Sequence, residues 1–521
     1  MKALLSILLF IVWLVPTTAQ EEGRVHKVFD QAIPERPNRE FQFLAYFYNQ
    51  AVTGNIYPEN DLFKGQIIGR LFGQNTTKTS DSLRTFYVEQ RFLPFFIYQP
   101  RLFNGKAILR ASFEIDWTWG DVNYGVGGNF GSAFSADQVN LQTQNVELEL
   151  LPWKGWAINL GLQRLFDTPY NPYRTYFDKM NRSGYRLAYW GSDAVGVNVR
   201  RDYDHGSWRL GFYQLYENLV NKDDDVTLTE YTVNKHLNRL WNIGGSLYWL
   251  RDRANGAGGV SILGQGLNSA LADYNGVYRF PLGADPYRAD VFWLGSFFSR
   301  NEDMMWDQWS ITGFVNANLG TVRQLQNDSW NKTVDIAGVA ANLRLNYRYA
   351  QTEQDAITLD LLYASGDNGI EDGTYSGVLT GNNWGSPGGI FISSGAYLLF
   401  PHGNVVNRLV AAVNDIANRG NGVTGGTLNL SRAFIPHRWY GKVGLASGIS
   451  NVESPGNGGF VLGTELNAMT GMQLGPFMHL EAHGAWMSLG DYYDSPATNG
   501  GLNERPANPW TAFLVFKWLM F

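Results

Sequence analysis

Three residues late in the chain, His479, Glu481 and His483, are of types that bind metals and occupy alternate positions of one short segment. In a strand their side chains share a face, with same-face neighbours about 6.7 Å apart and the two histidines about 13 Å apart. Zinc ligands must converge within about 2 Å of the ion. A straight strand cannot do that, so the three are read as polar residues on an interior face and no metal is expected. The absence of cysteine removes thiolate metal sites, disulfides and thiol nucleophiles together. Seven histidines are present, but no G-x-S-x-G elbow accompanies them, so nothing nominates a nucleophile–base pair. The segment Gly125-Val126-Gly127-Gly128-Asn129-Phe130-Gly131 has the wrong spacing for a dinucleotide loop, and no helical pattern follows it. Neither a cofactor nor an enzymatic activity is expected.

A second set of residues is more informative because it recurs. Arg110, Glu114, Asp116, Glu147, Glu149, Arg200, Arg344, Arg348, Asp360, Glu465 and Glu481 all fall on the polar side of alternating segments. Leu109 to Trp119 sets Leu109, Ala111, Phe113, Ile115, Trp117 and Trp119 against Arg110, Ser112, Glu114, Asp116 and Thr118. Ala341 to Tyr349 does the same with Leu343, Leu345 and Tyr347 against Arg344, Asn346 and Arg348. Shorter copies cover Val146–Leu150, Ile158–Gln163, Val195–Arg200, Leu462–Ala468 and Met478–Trp486. Successive strand side chains point to opposite faces, so each segment has one apolar and one charged face. A soluble sandwich alternates too. Strands of about ten residues framed by aromatic rings, however, fit a tilted strand crossing a bilayer.

The elements that would hold these faces follow. Short turns at 152–156 and 471–476 contrast with long, glycine-rich connections at 120–143, 252–287, 366–388 and 418–426, an alternation typical of outer-membrane barrels. In a bilayer every backbone group must be paired, so such a sheet has to close. The expected fold is all-β: one transmembrane antiparallel β-barrel of about 18 strands, with 16 as the fallback. Composition agrees with it. Of 521 residues only 17% are charged, 15% are aromatic and 18 are Trp, and the net charge of −6 carries no nucleic-acid footprint. Met1-Lys2, an apolar run over Ala3–Val15 and Pro16-Thr17-Thr18-Ala19 have the layout of a signal peptide. The expected organisation is therefore a signal peptide over 1–19, a periplasmic segment over 20–40 and a barrel over 41–521, in the bacterial outer membrane.

Asn508 to Phe521 ends a strand pattern on an aromatic residue. It resembles the last strand of bacterial outer-membrane proteins, whose final ring is a mark for the insertion machinery, and Phe521 would carry that signal. Lys517 shares its face with Thr511, Phe513, Val515, Leu519 and Phe521, where the resemblance calls for an apolar residue. Leu359-Asp360-Leu361-Leu362-Tyr363-Ala364-Ser365-Gly366-Asp367-Asn368, with Glu371-Asp372-Gly373 and Leu462 to Asn467, resembles the alginate-export porin family over roughly the last 160 residues. That resemblance implies an 18-stranded channel whose arginines, here Arg110, Arg200, Arg344 and Arg348, pass an anionic polysaccharide. The mixed signs of the candidate lumen residues depart from its arginine-rich interior. The reading is a passive channel for small polar solutes or oligosaccharides, with anionic polysaccharide export as its extended form. A structural or adhesive barrel with a closed lumen is the alternative, and a barrel enzyme or a soluble exported β-protein ranks below both. The expected partners are outer-membrane lipid, the barrel-insertion machinery and a polar or carbohydrate permeant.

Overall fold

The alternating segments form strands that are longer than their clearest sequence patterns. The computed structural model describes residues 40–58, 69–72, 77–119, 138–166, 191–216, 224–256, 276–302, 304–380, 395–400, 410–456, 458–475 and 477–520. Residues 1–39, read as signal peptide and most of the lead-in, and Phe521 lie outside them. Nineteen strands hydrogen-bond into one sheet; one of these, Thr374–Tyr375, is only two residues long and lies parallel to a wall strand, leaving 18 in the wall. These are β1 (Phe41–Gly54), β2 (Thr85–Tyr98), β3 (Ala107–Trp119), β4 (Gln138–Leu150), β5 (Trp156–Phe166) and β6 (Gly191–Tyr203). Next come β7 (Gly206–Tyr216), β8 (Val226–His236), β9 (Trp241–Asp252), β10 (Tyr287–Arg300), β11 (Trp309–Gln326) and β12 (Ser329–Arg348). The last six are β13 (Ala356–Ala364), β14 (Val423–Ile435), β15 (Trp439–Ile449), β16 (Val461–Gly475), β17 (Met478–Leu489) and β18 (Trp510–Met520). Each pairs antiparallel with its neighbours in sequence. β18 returns to β1, with Ala45 opposite Met520 and Gly54 opposite Thr511, so the barrel is closed.

Burial decides what kind of barrel this is. On β3 and β4, Leu109 is 43% exposed and Val146 41%, whereas Arg110 is 4% exposed and Glu147 0%. A soluble sandwich would bury the first pair and expose the second. Here apolar side chains cover the outside, and polar ones fill the inside, of a closed antiparallel sheet. That inversion is the architecture of a bacterial outer-membrane barrel.

The two ends of the barrel differ. One end carries the connections 99–106, 151–155, 204–205, 237–240, 301–308, 349–355, 436–438 and 476–477, together with the start of β1 and the end of β18. The other end carries the long connections, including 253–286 and 365–422, and one tight hairpin. In that hairpin Asn327 and Asp328 both take left-handed φ, 51° and 59°, the mirror-image turn whose twist suits a β-ribbon. Four expected connections are shorter or displaced. Gly471–Gly475 belongs to β16, Val423–Gly426 to β14, Gln138 onward to β4, and Trp156 to β5. Glycine-rich and polar sequence reads as loop, but ladder pairing and the polar inner face absorb it.

β12 has 20 residues and β13 only nine, so the wall steps down where they meet at Ala340 opposite Ala364. Thr374–Tyr375 covers part of the β12 edge left above the step. The described start of the connection after β13 enters the barrel over Gly338, where a Cβ would stand 2.1 Å from the Gly377 carbonyl oxygen. Inside, the described parts of that connection build the main apolar core. Val378, Leu379, Leu398, Leu399, Phe400, Val413 and Ile416 pack there with Leu71 and Phe72 of the first long connection and Tyr492 and Tyr493 of the last.

Candidate functional site: the lumen wall and the inserted loop

Register builds the first half of the site. On β2–β4, Arg110 stands opposite Glu147 and Arg91 opposite Asp116, so complementary charges face each other directly. Arg91 binds Asp116 through Nε and Nη2, at 2.8 and 3.0 Å, and Glu114 at 2.8 Å. Arg110 bridges Glu147 at 3.2 Å and Glu149 at 3.1 Å. Glu149 also takes Arg200 at 3.4 Å, and Arg200 reaches Asp202 at 3.0 Å. Arg209 continues the row to Glu230 at 3.6 Å, where Tyr213 donates a hydrogen bond of 2.8 Å. A charged band of alternating sign thus runs over β2–β8. Buried charges require such pairing, because desolvation of an isolated ion costs several kcal/mol.

Elsewhere on the wall, Arg344 stands opposite Asp360 and binds it at 2.6 Å, and Asn342 donates to the same carboxylate at 2.6 Å. Arg348 is half-buried on the same face of β12, nearer the short-turn end, and has no ion pair among the described residues. The eleven candidates therefore separate into groups. Arg110, Glu147, Glu149 and Arg200 form one network, and Glu114 and Asp116 meet through Arg91. Arg344 meets Asp360, Glu465 and Glu481 lie on β16 and β17, and Arg348 stands apart.

Glu465 and Glu481 have a different role. Glu465 accepts backbone N–H groups of Tyr397, Leu398 and Leu399 at 2.8, 2.8 and 2.7 Å, and the Asn467 amide at 2.8 Å. One wall carboxylate thus holds three successive residues of the inserted loop. Glu481 accepts from Lys517 at 2.6 Å and from the Tyr440 hydroxyl at 2.8 Å, and lies 3.0 Å from His483 Nε2. His483 Nδ1 is 3.2 Å from the Tyr397 hydroxyl, so this cluster touches the same loop. The expected mismatch at Lys517 is corrected here. The face it shares with Phe513 and Val515 is the buried one, while Leu514 and Trp518 face outward. An inward lysine opposite an inward glutamate is therefore in place.

The loop's other anchor is on β10 and β11. Trp293 donates its indole N–H to the Leu379 carbonyl at 2.9 Å, and Leu379 N–H reaches Asn318 at 3.1 Å. The anchors stand five to six strands apart, about a third of the 18-strand circumference, so the described parts of the connection meet the wall at two well-separated places. Within it, Leu71 N–H pairs with the Ala411 carbonyl at 2.7 Å, and Ala412 N–H with Leu398 at 2.7 Å.

Arg70, on the first long connection, sits in this core at 4% exposure, and its Nε has no hydrogen-bond partner. Burial, with the Arg419 charge beside it, draws its pKa down to about 10. Both flank Gly276, where a Cβ would lie 3.4 Å from Arg70 Cδ and 3.6 Å from Arg419 Cγ. Arg419 takes left-handed φ of 58° while its N–H bonds the Gly276 carbonyl at 2.6 Å. The nearby Tyr493 hydroxyl is also buried without a partner. A buried cation, an exposed cation and a free phenol form a cluster whose chemistry suits an anion, which would supply the charge and the acceptors now lacking. Neither arginine was expected from sequence. Both lie outside alternating segments, and only the infolding of two distant connections joins them. Arg91 and Glu230, by contrast, could have been read from the alternation of their own strands.

No protein-family model matches this chain, and no curated protein does. Among solved structures it is similar to Acinetobacter baumannii OccAB1, at 11% identity over 92% of this chain and 97% of that one, TM-score 0.49. It is also similar to Pseudomonas aeruginosa OccK11 (OpdR), at 10% identity over 92% and 96%, TM-score 0.43. P. aeruginosa OpdK with vanillate matches at 11% over 92% and 98%, TM-score 0.44. The fold assignment rests on the closed strand pairing of this chain itself.

Proposed function

We propose that this chain is an outer-membrane channel that passes small polar solutes passively and favours anions at its constriction. The observation carrying this reading is the Arg70–Arg419 cluster. A buried guanidinium without a counter-charge among the described residues, set where connections fold into the barrel, is a site for a transient anionic guest. The route runs between the inserted loop and the charged band of β2–β8, where paired residues of both signs keep attraction weak enough for release. The short-turn end faces the periplasm and the long connections face outward. Residues 1–19 serve as signal peptide, 20–40 as periplasmic lead-in and Phe521 as insertion signal. Arg110, Glu114, Asp116, Glu147, Glu149, Arg200, Arg344, Arg348, Asp360, Glu465 and Glu481 line the lumen or hold what lines it. Export of an acidic polysaccharide, which the resemblance of 359–373 implies, is the extended form of the same reading.

A closed structural barrel is the second reading, favoured by the apolar packing of three infolded connections. Planar-bilayer recording of the purified protein under a salt gradient separates the two. Discrete steps with a reversal potential of anion-selective sign, weakened in R70Q, support the channel. An inserted but silent protein supports the closed barrel, and cation selectivity unaffected by R70Q would sink the anion site.

A further inference from the structure

The outer wall carries a second charged feature, separate from the lumen. Arg288 on β10, Arg323 on β11 and Lys332 on β12 stand directly opposite one another in register, Arg288 to Arg323 and Arg323 to Lys332. All three are on the outward face: Phe292 and Leu294 alternate with Arg288, and Val315 and Leu319 with Arg323. Like charges placed directly across a ladder repel, so this row lacks something between its members.

Local carboxylates do not supply it. Asp290 is engaged by Arg253 at 2.8 and 3.0 Å and by the Trp249 indole at 3.2 Å, and is the register partner of Arg251. Asp335 is engaged by Lys332 at 2.7 Å. Among the described residues, four cations (Arg253, Arg288, Arg323, Lys332) thus share two carboxylates on this face. Asp285 and Asp328 lie beyond the row, in the preceding loop and the hairpin turn. Arg288 is held in place by the Trp330 ring, 4.3 Å from its guanidinium carbon, and by Asn255 at Nε, 3.2 Å. Its two terminal nitrogens have no hydrogen bond or ion pair among the described residues. Arg323 has no ion pair among the described residues and is exposed.

Height along the wall identifies what is missing. Trp249 and Phe292 stack at 5.8 Å on the outer surface, with the indole N–H turned to Asp290, the arrangement of an interfacial ring with a wet end. Arg288 is two residues further toward the long-connection end, about 7 Å along the strand and so about 5 Å in height at a 45° tilt. The row therefore lies just above the apolar band, at headgroup level, and spans about 10 Å across three strands.

We propose that this row binds the phosphorylated sugar headgroup of an outer-leaflet lipopolysaccharide. A phosphate monoester carries more charge than a phosphodiester and accepts two parallel N–H bonds from a guanidinium. Two headgroup phosphates on one disaccharide suit a row of cations better than a single phospholipid head. The inference rests on the outer-membrane placement but is independent of whether the lumen conducts.

The test uses the full-length protein in detergent, offered diphosphoryl lipid A, dephosphorylated lipid A or phosphatidylglycerol, with retained lipid counted by native mass spectrometry. Wild type should retain diphosphoryl lipid A at least tenfold better than either other lipid. The R288S/R323S double variant should lose at least tenfold of that preference, while R505S, altering a rim arginine paired with Asp494, keeps it. Heat-dependent gel migration reports barrel folding independently, and R323S alone replaces the double variant should that one not fold. Equal retention of the two lipid A forms, or an unchanged preference in the variants, overturns the proposal. Phosphatidylglycerol retained as well as lipid A assigns the row to phospholipid and overturns the lipopolysaccharide assignment.

Discussion

Replacing Glu465 with glutamine should loosen the inserted loop without collapsing the barrel. In the wild type, Oε2 accepts Leu398 and Leu399 N–H and Oε1 accepts Tyr397 N–H and the Asn467 amide. Glutamine keeps one acceptor oxygen but turns an NH2 toward two N–H donors, either Leu398 and Leu399 or Tyr397 and the Asn467 amide. Two charge-assisted hydrogen bonds, each about 1.5–3 kcal/mol, are lost, less whatever water recovers once the loop moves. A net loss of about 3 kcal/mol changes the ratio of docked to undocked loop by about 100-fold. The wall itself is held by ladder bonds on both edges of β16, so the barrel should remain closed. In single-channel recording E465Q should show larger or more frequently switching conductance. Backbone hydrogen exchange over 395–400 should quicken while that of β16 does not. Unchanged conductance together with unchanged exchange would refute the latch.

Other substitutions test the wall and its turns. Arg110→Met leaves Glu147 and Glu149 buried beside an apolar side chain, and should destabilise the barrel by about 3–5 kcal/mol in denaturant titration. A loss below 1 kcal/mol would mean that water already solvates that network. Leu160→Arg places a charge on the outward face of β5 and should cost about 2–4 kcal/mol on folding into vesicles. The same change costing nothing would remove Leu160 from the lipid face. In the turn 301–308, hydrogen bonds from Arg300 hold the Asp307 carboxyl below its usual pKa. A group depressed on folding contributes stability above its unfolded value, about 3.9, and loses it as pH falls through the folded one. Protection of amides in 301–308, corrected for the intrinsic exchange rate at each pH, should therefore fall as pH drops below about 4 in wild type and vary less in D307N.

Much of the fold is legible one strand at a time, because a period of two is a local property. The Leu109–Trp119 alternation predicts both a strand and its two faces, and the same pattern in seven segments implies a closed barrel once an apolar outer face is taken to meet lipid. The candidate wall residues follow from that parity alone. All eleven lie on the inward faces of their strands, nine of them buried. What parity cannot supply is which residue lies across the ladder. That depends on register, so the pairing of Arg110 with Glu147, or Glu481 with Lys517, appears only when strands from distant parts of the chain meet.

The sequence by itself determined the strands, their faces and the overall class, since pleating alone imposes those. It reads Lys517 as a departure on its face of the last strand, because an alternation has two phases and only closure says which is inside. The tertiary structure decided the number of wall strands, the step between β12 and β13, and the infolding of Val378, Leu379, Leu398 to Phe400 and Val413. These depend on backbone groups far apart in sequence, such as Leu399 N–H finding Glu465 and Leu71 N–H finding Ala411. The Arg70–Arg419 cluster belongs to this second class. Nothing local marks either arginine, and the site exists only because two connections fold into one lumen.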